Sequence, residues 1–541
     1  MSMGQFKINK PDAWIGILAA LGVVVYVMVA ANMHQTGFPL DDGWIHQTYA
    51  RNLAQRGEWA FVPGETSVAS TSPLFTVLLA VGYLFRIPYF VWTFALGILA
   101  LAGAGWIGRR LGAIMFPGLK HAGLWTGLTV VTSWHLIWAA SSGMETMLFS
   151  ALSLAVVGLG WRELPDSHPS DGLDHALRRG MVLGAAGAAL TLTRPEGAGL
   201  LALTGLMVLL AWPYGRGRNG WRLYLAWVGG VGAAWLVCVV PYVVWNHHVS
   251  GDLLPGTASA KQAEFVYLRE QWSLPERYGR LFLPLAAGGL VMLLPGVIVA
   301  LYSFLRRIRY ERPVILFVLP LTWALLDLSA YAIRLPANYQ HGRYVMPVLP
   351  HLLLYGVGGT LVILKTGRRR PVQRVLSRSL ALSTVLVTIG FWGIGARQYG
   401  RDVRIINTEM VDTAKWIELH IPPDDLLAVH DIGALGYFAP RPIFDLAGLV
   451  SPEVVPVIRD REVLMQMMCA RDVHYLEVLP NQRPTGPDDP RLGTEWGYDP
   501  DLGRDVVKPF FQTHAPYAVE AGGGNMMVYK FNWPARCDGG E

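Results

Sequence analysis

Twelve apolar runs fill most of the chain before residue 397, near 13–31, 73–85, 89–108, 122–140, 144–160, 180–193, 197–212, 223–245, 281–305, 313–333, 345–364 and 379–396. A helix that crosses a bilayer needs about 20 mostly apolar residues, so these runs predict a polytopic α-helical membrane protein. Short runs such as 180–193 read as segments that dip into protein rather than face lipid. The first run follows Lys7 and Lys10, as in a signal peptide. It is too apolar for too long, and Val29-Ala30-Ala31 makes a weak cleavage site, so a retained helix with a cytoplasmic start is expected.

The polar segments between the runs are of two kinds. Arg109/Arg110/Lys120, Arg162/Arg178/Arg179, Arg216/Arg218/Arg222, Arg306/Arg307/Arg309/Arg312 and the stretch from Lys365 to Arg378 are basic. Ser142–Thr146, Arg194–Gly197, Asn246–Arg280 and Leu335–Arg343 are not predominantly so. Lys and Arg in short loops mark the cytoplasmic side, which puts the second set outside, together with everything after Ala396. Twelve complete crossings would return that tail to the cytoplasm. The count must therefore be odd, within 11 to 13 helices, with the conflict lying between Ser72 and Lys120. Either the 73–85 run is no crossing, or 109–121 hides a further one.

The tail breaks the apolar pattern. Thr408–His420 has helical periodicity through Met410, Val411, Ala414 and Ile417, and ends before Pro422-Pro423. Leu426–Val429, Ile443–Leu446 and Val473–Leu479 are short strand candidates. A small extracytoplasmic α/β domain over 397–541 is expected, following a membrane domain over 1–396 whose first outer loop is 32–72. No GxGxxG or GxxxxGK[ST] pattern stands at a strand end, and no internal repeat is visible.

Charge sharpens this division. Residues 397–541 carry 22 acidic and 14 basic side chains, a quarter of that segment; residues 1–396 carry 17 and 31, or 12%. Soluble proteins average about 25% charged residues, so only the tail is solvated like one. The overall +6 is then a record of topology, not a footprint for nucleic acid. Of three cysteines, Cys238 lies in an apolar run; Cys469 and Cys537 lie in the tail, either as one disulfide or as two thiols.

The candidate chemistry begins in the first outer loop, at Phe38-Pro39-Leu40-Asp41-Asp42-Gly43-Trp44-Ile45. One reading makes Asp41 or Asp42 the N-cap of a helix starting near Gly43. Ile45, Tyr49 and Leu53 would give that helix one apolar face on the membrane surface, holding both carboxylates at the water–lipid boundary. Tyr49-Ala50-Arg51-Asn52-Leu53-Ala54, Phe61-Val62-Pro63-Gly64-Glu65 and Ser70-Thr71-Ser72-Pro73-Leu74-Phe75 follow. In this order the segments resemble the membrane glycosyltransferases of the GT-C fold, and within them the arabinofuranosyltransferase-like branch. Relatives are protein O-mannosyltransferases and the aminoarabinose transferases of lipid A. Further matches are Ser142-Gly143-Met144-Glu145-Thr146, Leu192-Thr193-Arg194-Pro195-Glu196-Gly197, Gly251-Asp252-Leu253-Leu254-Pro255 with Lys261, and Gly342-Arg343-Tyr344 before Pro347 and Pro350. The tail adds Asp431-Ile432-Gly433-Ala434-Leu435-Gly436-Tyr437-Phe438 and Asp445-Leu446-Ala447-Gly448-Leu449.

The resemblance implies transfer of a sugar from a polyprenyl-phosphate donor, on the outer face of the cell membrane, to a glycan, lipid or protein. It makes Asp41 the base of a single inverting displacement, with Asp42 orienting the acceptor or capping the helix; the two could exchange roles. Such a reaction needs a proton acceptor and cations or dipoles where charge develops on the leaving phosphate. Lys261 and Arg343 are the candidates for the phosphate, against a solvated loop lysine and an interfacial snorkelling arginine. Glu145, Arg194, Glu196, His341 and Tyr344 are candidate substrate contacts. An Arg–Glu bridge around Pro195 competes, because intramembrane charges pair with one another. Trp44, Trp59 and Trp134 stack on substrate or belong to an aromatic belt. No zinc spacing occurs; a divalent cation on Asp41/Asp42 is compatible with this chemistry and not required by it. A transporter or flippase for a glycan or lipid precursor is the alternative, though it predicts two related halves. A membrane scaffold or sensor is a third reading.

Overall fold

The computed structural model describes residues 10–33, 35–164, 172–212, 219–251, 253, 256–367, 370–479, 498–499 and 504–533. The chain divides into two compact units. One comprises Met1–Val27, Thr93–Val244 and Ser273–Arg397; the other comprises Met28–Trp92, Trp245–Trp272 and Gln398–Glu541. The last change of unit lies beside the expected division at 396/397. The second unit also gathers the first outer loop and the 245–272 stretch.

The first unit is a helical membrane bundle. Among the described residues, seven helices are long and apolar enough to cross a membrane, and one bent pair, Trp134–Ser141 with Thr146–Trp161, turns by 119°. Ala122–Thr132 and Gly197–Ala211 are shorter apolar helices, as is Pro73–Leu84 of the second unit. The chain is a multi-pass membrane protein. Where helices have no water to exclude between them, small residues let backbones approach. A Cβ on Gly359 would lie 1.8 Å from the Gly296 carbonyl oxygen, so Gly289–Ile308 and Leu349–Thr366 meet backbone to backbone.

Two helices bear on the stretch between Ser72 and Lys120. Lys10–Met33 (α1) and Tyr89–Met115 (α4) are joined by a 2.6 Å ion pair between Asp12 and Arg109. Asp12 begins α1 and Arg109 nears the end of α4, so the chain leaves on α1 and returns on α4. Arg109 and Arg110 therefore belong to α4 and not to a loop, and 109–121 contains no extra crossing. Pro73–Leu84 (α3) has 12 residues, about 18 Å at 1.5 Å per residue, too short for a hydrocarbon core about 30 Å thick.

In the second unit Asp42–Arg56 (α2) is not the surface helix its pattern suggested. Gly43 to Ala50 are all buried, including the polar His46, Gln47 and Thr48. The polar side chains are absorbed by partners: Tyr83 Oη donates to Gln47 at 2.8 Å, and Thr48 Oγ1 to the Trp44 carbonyl at 2.9 Å. Trp44 packs against Phe38, Tyr89, Phe90, Tyr437 and Phe438; it is a core residue and not part of a belt.

The tail carries a five-stranded sheet in the order Ile443–Asp445, Leu427–Val429, Tyr475–Val478, Met527–Phe531, Val507–Gln512. The first three strands, at the three runs read as strand candidates, are parallel; the last two add antiparallel. Phe444, Leu464, Met468, Leu476 and Val528 are buried in this domain. The strand at Val507–Gln512 escaped detection because Lys508 and Pro509 interrupt it, as an edge position permits. Cys469 is disulfide-bonded and Cys238 is a free, exposed thiol, while Cys537 lies outside the described residues.

Candidate functional site

The second unit brings several ionisable side chains to one edge of the tail sheet. In a parallel sheet, ligands bind at the carboxyl ends of the strands. Here Leu427–Val429 is followed at once by His430 and Asp431, Asp445 closes Ile443–Asp445, and Glu477 lies near the end of Tyr475–Val478. The short helix Ile432–Phe438 begins just beyond Asp431.

Asp41 is held at the start of that helix. Its Oδ2 accepts from the Gly433 N–H at 2.6 Å and its Oδ1 from the Ala434 N–H at 2.8 Å. The side chain makes no cap of its own helix α2, so the N-cap reading fails for Asp41: its carboxylate serves a helix nearly 400 residues away in sequence. The approach requires glycine. A Cβ at Gly433 would fall 2.1 Å from the Asp41 carbonyl oxygen and 2.7 Å from Oδ2. Burial, then the charge of Asp431, push Asp41 up to about 8, against the pull of the two backbone N–H groups; Asp42 adds a smaller push. Asp42 itself stands half-buried in the first turn of α2.

A line of alternating charge lies beside Asp41. Lys261 Nζ is 3.5 Å from Glu264 Oε2, Glu264 Oε1 is 3.6 Å from His430 Nε2, and His430 Nδ1 is 3.4 Å from Asp431 Oδ1. Burial opposes ionisation of Glu264, but Lys261 and His430 hold it down to about 2. Burial likewise opposes the His430 cation, and hydrogen bonds to Asp431 and Glu264 raise it to about 10. Glu477 is pushed well above the usual carboxylate range by burial and then by Asp41 and Asp431. Lys261 is thus an ion-pair partner and not the solvated lysine of the alternative reading.

The other candidates fall in the first unit. Arg194 Nε lies 3.2 Å from Glu145 Oε1. Glu196 accepts a hydrogen bond from Tyr331 Oη, and Tyr331 stacks on Tyr344 with ring centroids 5.6 Å apart. Arg343 Nη2 donates to Tyr344 Oη at 3.1 Å, with its guanidinium over the rings of Tyr339 and Tyr344. Glu145, Arg194, Glu196, Arg343 and Tyr344 therefore share one neighbourhood through Tyr331. Arg343 is buried, which excludes the snorkelling reading. His341 packs edge-on against Trp134 and Trp138, each 5.3 Å away. Gln340, His341 and Gly342 are three successive residues with positive φ, 52°, 61° and 73°; non-glycine residues hold such angles where the surroundings impose them.

Lys261 and Arg343 lie in different units. Asp252, Leu254 and Pro255 of the motif before Lys261 lie outside the described residues. Among the described residues no group of three or more His, Cys, Asp or Glu side chains could hold a metal ion. Sequence alone did not single out Glu264, His430, Asp431, Glu477 or Tyr331. All but Tyr331 had a signal: Glu264 is three residues from Lys261, His430-Asp431 ends a parallel strand, and Glu477 is a lone acid in an apolar segment.

Residues 394–520 match a family model described as a domain of unknown function, DUF8728. No curated protein sequence matches the chain. Among solved structures, ArnT from Cupriavidus metallidurans bound to undecaprenyl phosphate is similar at 17% identity, over 98% of this chain and 99% of that one, with a TM-score of 0.55. The Archaeoglobus fulgidus oligosaccharyltransferase tethered to an acceptor peptide is similar at 10% identity, over 88% and 70%, with a TM-score of 0.54. The same archaeal enzyme, AglB, with an inhibitory peptide and a dolichol-phosphate, gives 10%, 88% and 70%, and 0.51. The likeness spans nearly the whole chain, and the fold is the GT-C fold that the sequence motifs anticipated.

Proposed function

We propose that this membrane protein of GT-C fold is a glycosyltransferase that moves a hexosyl or pentosyl group from a polyprenyl-phosphate donor to an extracytoplasmic glycan, lipid or protein acceptor. Solved structures of the same fold hold undecaprenyl phosphate or a dolichol-phosphate, which supports a lipid-phosphate donor here. The observation that carries the reading is the Asp41 carboxylate: buried, held by two backbone N–H groups and raised to about 8. A general base works best when its pKa lies near the operating pH.

In the proposed reaction the acceptor hydroxyl oxygen bonds to the anomeric carbon as its proton passes to Asp41. The bond from that carbon to the donor phosphate oxygen breaks, and the electron pair leaves with the lipid phosphate. A single displacement inverts the anomeric centre. Asp42 orients the acceptor hydroxyl. Lys261 and Arg343 are each proposed as a cation for the donor phosphate, and Glu145, Arg194, Glu196, His341 and Tyr344 as substrate contacts. The 397–541 domain faces outside with the acceptor, in the plasma or inner membrane, and the N-terminus is cytoplasmic.

The test is to delete the gene and extract lipid-linked sugars, then to supply the accumulated species to purified protein in vesicles. The reading expects one polyprenyl-phosphate sugar to accumulate and to be converted to polyprenyl phosphate by the protein. A species that merely changes leaflet, with its sugar–phosphate bond intact, would favour the transporter.

A further inference from the structure

We infer that His430 is a positioning residue for the base: as a cation bridging Glu264 and Asp431, it offsets the negative charge beside Asp41 and ties helix Thr257–Glu264 to the helix start that grips Asp41. This deepens the transferase reading and rests on it for the role of Asp41.

The ring geometry carries the inference. Both imidazole nitrogens face carboxylates, Nε2 toward Glu264 Oε1 at 3.6 Å and Nδ1 toward Asp431 Oδ1 at 3.4 Å. A neutral imidazole has one N–H and one lone pair, so one nitrogen would present a lone pair to a carboxylate. Only the doubly protonated ring suits both neighbours. The two carboxylates come from separate parts of the unit, the 257–264 helix and the start of Ile432–Phe438. His430 therefore links them covalently distant but electrostatically continuous, and that continuity ends at the N–H groups of Gly433 and Ala434 on Asp41.

Among the described residues, the charged groups acting on this ring are the following. Glu264 carries Lys261 on its other oxygen, Asp431 is adjacent in sequence, and Asp445 feels the His430 charge from the neighbouring strand. On the far side of Asp431 stand Asp41 and Glu477, with Arg441 as a cation near Glu477. Without the imidazolium, Asp431 would press its full charge on Asp41. Asp41 would then hold its proton to higher pH, and less of it would be ionised at neutrality. A neutral residue at 430 thus acts on the base without touching substrate.

Two measurements on the full-length protein in lipid nanodiscs decide the matter. Hydrogen exchange at imidazole carbon C2, followed by mass spectrometry, reports the protonation midpoint of each histidine independently of activity. His430 is expected to titrate above pH 8, against an ordinary value of about 6.5, and Glu264→Gln should lower that midpoint by about one unit or more. Transfer by His430→Gln at saturating substrates should fall about tenfold at pH 7 and recover near pH 9, as expected for a base limb moved by one unit, with the donor KM unchanged. Asp431→Asn added to His430→Gln should return the profile toward that of the parent. A His430 midpoint within one unit of the ordinary value would overturn the inference, as would an equal loss of rate at every pH. If the unaltered protein transfers no sugar, the transferase reading fails, while the exchange midpoint still decides the ion bridge.

Discussion

Two buried polar clusters, one in each unit, hold Glu145 and Asp41 in different ways. In the first unit Arg194 sits on Glu145, Glu196 takes the Tyr331 hydroxyl, and Tyr331 stacks on Tyr344. A guanidinium does not deprotonate in proteins, so such a cluster fixes charge and with it the ends of the helices that carry it. In the second unit Asp41 has no arginine partner among the described residues. It rests on two backbone N–H groups, with Asp431 pushing it toward its protonated form and His430 restraining Asp431. The comparison separates holding from reacting. A carboxylate locked to arginine makes a poor proton acceptor at neutral pH, whereas one held by dipoles alone can still take a proton and give it up.

Breaking the first cluster should cost stability most. Arg194→Ala removes the Arg194 cation from the buried Glu145, a change worth about 3–5 kcal/mol in buried pairs. Thermal unfolding in detergent should show it, and Glu145→Gln combined with Arg194→Ala should recover part of the loss. Equal stability of Arg194→Ala and the parent would mean that the pair holds nothing. Next in size is Gly433→Ala in the second cluster. Overpacking of this kind costs about 1–3 kcal/mol, and here it displaces the N–H groups from Asp41, so transfer should fall more steeply than melting temperature. A parallel fall in both would remove the distinction between the clusters. Tyr331→Phe should do least, about 1 kcal/mol for one hydrogen bond to a buried acceptor, read from denaturation of the membrane unit with the Asp41 pH profile unchanged.

The parts of this molecule that sequence made legible are those where chemistry and local pattern agree. Apolar periodicity marked the long helices and the three parallel strands, because lipid and a sheet core both demand it. The paired acids at 41 and 42 were visible as costly charges beside a membrane helix. What the pattern could not show was tertiary satisfaction. α2 has polar positions that suit a wet surface, yet His46, Gln47 and Thr48 find partners within the unit and are buried. Asp41 reads locally as a cap and instead serves a helix start contributed by the tail. His430 had only its place at the end of a strand as a signal; its pairing with Glu264 and Asp431 was not readable until the chain was folded. Arg109 looked like a loop residue because its partner, Asp12, lies 97 positions earlier.

The central claim, that Asp41 is the base, is tested most directly by single-turnover transfer as a function of pH in the parent, Asp41→Asn and Asp42→Asn, at saturating donor. The ionised carboxylate is the active form, so the parent rate should rise with pH through a limb near 8, the value to which burial and Asp431 raise Asp41. Asp41→Asn should lose that limb and fall by about 10²–10⁴, the usual contribution of a general base, with donor affinity kept, while Asp42→Asn keeps the limb. An Asp41→Asn protein within tenfold of the parent, with the limb still present, would contradict the account.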